Sequence, residues 1–112
     1  MSPDARQIAK SLQSFAALHA MNANDYQIFL RSNSDWGIYH VIFAARDFAG
    51  IEGNPWFAIM HFLDDFAFDD PDLLDSINLT VSTFAQIQSG GTHAIGWDYE
   101  QMEGSLSNEP AA

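Results

Sequence analysis

Apolar and polar residues recur along the chain with two different periods, and each period predicts an element. Ser2-Pro3-Asp4 opens a helix. Ser2 supplies a capping oxygen, Pro3 suits the first helical position, and Asp4 favours the positive end of the dipole. Ile8, Leu12, Phe15, Ala16 and His19 then share one face, which predicts a helix over about residues 3–20, broken by Asn22 and Asn24. Tyr26, Ile28 and Leu30 alternate with Gln27, Phe29 and Arg31, the pattern of a half-buried strand. Ser32-Asn33-Ser34-Asp35 reads as a turn. Trp36 to Ala44 is apolar at nearly every position, so it reads as a central strand antiparallel to the first.

Asp47-Phe48-Ala49-Gly50 leaves that strand, and Glu52-Gly53 extends the loop. Asn54-Pro55 restarts a helix by the same cap-then-proline logic. Trp56, Ile59, Met60 and Leu63 form its core stripe, with His61 and Asp64 on or near the far side, and the helix ends near Asp65 or Phe66. Asp70-Pro71 caps a short turn to Leu74. Ile77, Leu79 and Val81 alternate with Asn78, Thr80 and Ser82 as a third strand. Two readings of residues 83–99 stand. Thr83, Ala85 and Ile87 continue the period of two, with Ser89-Gly90-Gly91-Thr92 as a hairpin tip leading to His93–Tyr99; alternatively Thr83 caps a short helix over 84–88 that Gly90 ends. The long hairpin is the reading adopted.

The order is helix, strand, strand, helix, strand, then strand or helix. It predicts an α+β fold: a two-layer sandwich with an antiparallel or mixed sheet of three or four strands and helices on one face. At 112 residues the chain is expected to form one domain over residues 1–100, with residues 101–112 a frayed acidic tail.

Composition narrows the function. There is no cysteine, which excludes a disulfide scaffold, a thiolate metal site and a cysteine nucleophile. The net charge is −11, and its distribution is uneven. Arg6, Lys10, Arg31 and Arg46 face only Asp4, Asp25 and Asp35 in residues 1–46; residues 47–112 hold eight aspartates, four glutamates and no Lys or Arg. Nucleic acid and anionic membrane surfaces are therefore unexpected partners, and a cationic partner is favoured by field. No apolar run is long enough for a membrane span or a secretory signal, so a cytoplasmic location is expected.

The densest chemical feature is Asp64-Asp65-Phe66-Ala67-Phe68-Asp69-Asp70-Pro71-Asp72, with Asp75 just beyond. It lacks the spacing, glycine and closing glutamate of a calcium-binding loop. Two phenylalanines flanked by acids suit a docking surface for a protein. His19, His40, His61 and His93 are scattered, with no pair at a metal-ligand spacing. No nucleophile motif is present, and Ser89-Gly90-Gly91-Thr92 lacks the lysine of a phosphate-binding loop. No metal, cofactor or catalytic residue is expected. Trp36, Trp56 and Trp97 remain, and a partly exposed tryptophan at a sheet edge marks an interface.

Over residues 26–83 the arrangement resembles the BolA family. Ile38 to Ala44 matches its second strand, Phe48-Ala49-Gly50 its F-x-G loop, and Ser76 to Val81 its third strand. The resemblance implies the fold. The family's serine, its Arg-His pair and its cluster-ligating histidine fall at Glu52, at Trp56 and Phe57, and near Asp75, so cluster and nucleic-acid binding do not carry over. In size, acidity and element order the chain is also similar to the small acidic chaperones of bacterial type III secretion, which dimerise and hold an unfolded segment in apolar grooves.

The function expected is a small, acidic, non-enzymatic protein-interaction module of adaptor or chaperone type, forming a homodimer. Nine phenylalanines and three tryptophans are many for so small a domain, and pairing would cover those left exposed. The partner-binding candidates are Asp64, Asp65, Phe66, Phe68, Asp69, Asp70, Asp72 and Trp97. The alternatives are an inhibitor or immunity-type protein that mimics nucleic-acid charge, a BolA-like regulator, and a small-ligand domain or enzyme with a pocket at His40 or His61. Charge mimicry needs acids spread over one face; an adaptor needs an exposed apolar groove.

Overall fold

The computed structural model describes residues 3–33 and 37–88. The elements are α1 (Pro3–Leu18), β1 (Tyr26–Asn33), β2 (Ile38–Ala45), α2 (Pro55–Asp65), a 3-10 turn (Leu74–Ser76), β3 (Ile77–Thr83) and α3 (Phe84–Gln88). The fold is a small α+β domain around a mixed sheet in the order β1-β2-β3. β1 and β2 are antiparallel, with Ile28 opposite Phe43 and Arg31 opposite His40. β3 lies parallel to β2, with Val41 opposite Leu79 and His40 opposite Asn78. A parallel neighbour needs a crossover, and α2 lies within the segment that provides it.

The central place of β2 explains its nearly continuous apolar sequence, since neither of its faces meets much water. Alternate residues of the sheet, Tyr26, Ile28 and Leu30 of β1, Val41, Phe43 and Ala45 of β2, and Leu79 of β3, join one hydrophobic cluster with Ile8, Leu12 and Phe15 of α1 and Ile59 and Leu63 of α2. Phe43 sits at its centre. Phe15 meets it edge-on with ring centroids 5.9 Å apart, and Tyr26 stacks on it at 5.7 Å. Ser11 is the buried polar residue of α1, and its hydroxyl is satisfied by donating to the Ile8 carbonyl at 2.6 Å.

Several boundaries differ from the sequence expectation. α1 stops at Leu18, two residues early, because Ala20 takes a left-handed φ of 57°. Met21 N–H then donates to the Ala16 carbonyl and Ala20 N–H to Ala17, which closes the helix in a Schellman-type cap. β1 runs on through Ser32 and Asn33, and β2 begins at Ile38 rather than Trp36.

The strand does not continue past Thr83 as the first arm of the long hairpin expected over 83–99; residues 84–88 form α3 instead. Thr83 and Gln86 form a reciprocal cap. The Thr83 hydroxyl accepts from Gln86 N–H at 3.2 Å, and the Gln86 side chain accepts from Thr83 N–H at 2.8 Å. Two satisfied donors outweigh the weak alternation of Ala85 and Ile87. The predicted strand His93–Tyr99, Trp97 within it, and the tail 101–112 lie outside the described residues.

Candidate functional site

The acidic segment begins in the last turn of α2. Asn54 caps the other end of this helix, its side-chain oxygen accepting from Trp56 N–H at 2.8 Å, and Pro55 starts the first turn. The helix buries Ile59 and Leu63 and leaves Phe57, His61 and Asp64 exposed at i, i+4 and i+7. Asp64 and Asp65 therefore stand in water at the negative end of the helix dipole, with no basic residue in that turn. Carboxylates there are unfavourable by a few tenths of a kcal/mol each.

Phe66 ends the helix in an extended conformation, its N–H donating to the Leu63 carbonyl at 3.1 Å. From here an unbroken run of rings leads inward. Phe68 contacts Phe66 at 5.1 Å, Phe66 contacts Phe62 at 6.2 Å, and Phe62 meets Phe15 edge-on at 5.6 Å. Phe66 and Phe68 are both half-buried. They anchor the acidic loop to the core and still present ring area at the surface.

The loop is also held by its backbone. The Gln7 side chain of α1 accepts from Asp69 N–H at 2.9 Å. The Asp70 carboxylate accepts from Asp72 N–H at 2.9 Å, and Leu73 N–H returns to the Asp70 carbonyl at 3.0 Å. Buried Leu73 plugs the turn into the core. Asp70 is thus partly structural, as a turn aspartate should be. Asp64, Asp65, Asp69, Asp70, Asp72 and Asp75 are all exposed. Among the described residues the ion pair is Arg46–Asp25 at 3.6 Å, so no described cation neutralises this segment.

Seven of the eight predicted partner-binding residues, Asp64 to Asp72, thus lie on one anchored corner. The eighth, Trp97, is outside the described residues. Trp56 does not follow its predicted place in the core. It is 39% exposed and Phe57 62%, and the two rings meet edge-on at 5.2 Å. Trp56 lies against β3 instead. An open groove of about 270 Å³ runs beside it, lined by Phe48, Pro55, Trp56, Val81 and Thr83 among others.

The two histidines named for a pocket are not in one. His61 is exposed on α2. His40 lies 3.3 Å from the Asn78 side chain across the β2–β3 pair, ring nitrogen to amide nitrogen. Burial, and then the Arg31 guanidinium opposite, push its pKa below the ordinary imidazole value. The charged cleft lies elsewhere. About 200 Å³ is enclosed by His19, Asp25, Arg46, Asp47 and Phe48 among others, below the ~300 Å³ at which ligand pockets begin. Sequence reasoning missed it because the cap of α1, the start of β1 and the end of β2 meet only in the fold. Among the described residues no three His, Asp or Glu side chains group for a metal, and no helix is long and apolar enough to cross a membrane.

No family model, curated protein or solved structure matches the chain.

Proposed function

We propose that the protein is a non-enzymatic interaction module of adaptor or chaperone type. It docks a partner segment that carries both basic and apolar side chains. The observation that carries this reading is the corner at the end of α2. Two carboxylates sit at the wrong end of the helix dipole, beside Phe66 and Phe68, which are anchored yet half-exposed. That placement costs stability, as surfaces shaped for binding often do. The acids would steer a cationic partner, and the rings would supply contact area.

Six of the described acids, Asp64, Asp65, Asp69, Asp70, Asp72 and Asp75, gather at one corner, and an open groove lies beside Trp56. Both features support an adaptor over charge mimicry. The reading carries with it a cytoplasmic location, and also a homodimer, which exposed Leu18, Trp56 and Phe57 support.

Panning a displayed peptide library against the wild type tests it, with counter-selection on a variant carrying Asn at positions 64, 65, 69, 70 and 72. Enrichment of basic-apolar sequences that bind the wild type and not the variant is the expected result. Peptides that bind both equally, or no enrichment, would end the proposal.

A further inference from the structure

The cleft at the end of α1 gathers groups of both charge signs on a fixed frame. Arg46 N–H donates to the Asp25 carbonyl at 2.9 Å, which ties the residue after β2 to the residue before β1. One oxygen of the Asp25 carboxylate accepts from Asn22 N–H at 2.9 Å, and one of Asp47 accepts from Ala49 N–H at 3.0 Å. These bonds set both loops around the cleft and leave each carboxylate a second oxygen.

The guanidinium is held less firmly than its backbone. Arg46 Nη2 donates to the Asn24 carbonyl at 3.4 Å, and Nε lies 3.6 Å from the Asp25 carboxylate. A charge-assisted bond is ~2.7–2.9 Å long, so the fork has no close acceptor among the described residues. The His19 ring rests on Phe15 with centroids 4.4 Å apart, and its nitrogens have no hydrogen-bond partner among the described residues. A bare anion here would meet Asp25, Asp47 and the negative end of the α1 dipole. A bare cation would meet Arg46. A molecule that carries both charges close together suits the whole set.

Size and polarity narrow it further. The ~200 Å³ of the cleft holds about six or seven groups the size of a water molecule, so its occupant is small. Ile51, with Met21 and Phe48 packed against the core, adds apolar lining. Ala20 also lines the cleft while holding its left-handed φ of 57°, and backbone strain of this kind clusters at ligand sites.

We propose that this cleft binds a small free α-amino acid. Arg46 and His19 take the carboxylate, Asp47 takes the ammonium, and the side chain lies on Phe48 and Ile51. The proposal does not depend on the acidic corner.

Nuclear magnetic resonance of the isotope-labelled full chain tests it. The chain is titrated in turn with glycine, L-alanine, L-serine and L-valine, and with sodium acetate and methylammonium chloride, at constant ionic strength. At least one amino acid should give saturable shifts at the amides of Ala20, Arg46 and Ile51, and neither single-charge probe should. Arg46→Gln removes the carboxylate partner. Asp47→Asn removes a charge and keeps the acceptor for Ala49 N–H. Each should weaken binding about ten-fold or more, while Lys10→Gln, outside the cleft, should leave it unchanged. No saturable shift with any amino acid, equal shifts with acetate or methylammonium, or full binding by either cleft variant would overturn the proposal.

Discussion

The indole N–H of Trp56 donates to the carbonyl oxygen of Leu79 at 2.9 Å, tying the first turn of α2 to β3. Among the described residues β3 has a strand on one side only, so the contact also occupies one acceptor on an open edge. Trp56→Phe keeps the ring and removes the donor. It should cost about 1 kcal/mol, which for a domain near this size lowers the melting temperature by about 4–8 °C. Calorimetry of the two proteins reads this directly, and an unchanged melting temperature would show the bond to be dispensable.

Ala20 holds a left-handed conformation at the end of α1 with a side chain that disfavours it. Glycine relieves the clash at roughly 1 kcal/mol and gives back part of that through a freer unfolded chain. Ala20→Gly should therefore raise stability by about 0.5 kcal/mol. Urea denaturation should show a higher midpoint with the same slope.

Asp64→Asn and Asp65→Asn remove two negative charges from the negative end of α2. The pair should stabilise the fold by a few tenths of a kcal/mol per site at low salt. The gain should shrink in high salt, where the dipole is screened. Thermal melts at two ionic strengths test this with no partner present. A loss of stability would mean that these carboxylates make structural contacts.

His40 titrates below the ordinary imidazole value because of burial and of Arg31. Well above pH ~6.5 the ring is neutral in both folded and unfolded chains, and it contributes no pH dependence. Below that pH the unfolded chain takes up the proton first, so stability falls as pH drops, until the folded ring also protonates. His40→Gln should flatten this part of the stability curve between pH 7 and 5. Identical curves for wild type and variant would place the acid sensitivity elsewhere.

The strands were legible where one face is buried, because Tyr26, Ile28 and Leu30, and Ile77, Leu79 and Val81, mark that face by alternation. The caps at Asn54 and Asp70 were legible because each is a local side-chain bond. The cap of α3 is equally local, but Thr83-x-x-Gln86 competes in the sequence with the alternation of Thr83, Ala85 and Ile87. The end of α1 carries no glycine, so nothing in the sequence marks Ala20 as its terminus. Parallel pairing of β3 was beyond any local signal. For the acidic corner, exposure of the carboxylates followed from composition. The chain of rings from Phe68 to Phe15 did not, since Phe15 and Phe62 come from different helices.

The parallel pairing also bears on the order in which the molecule assembles. β1 and β2 meet through a short connection, so their pairing closes a small loop. His40 and Asn78 meet across 38 positions, and that larger loop has a greater closure entropy, about 0.6 kcal/mol for each doubling of length. The hairpin should therefore form early and β3 should dock late, with α2 already folded back between them. A substitution at Leu79 would then act mainly on the unfolding rate, while one at Ile28 would slow folding itself.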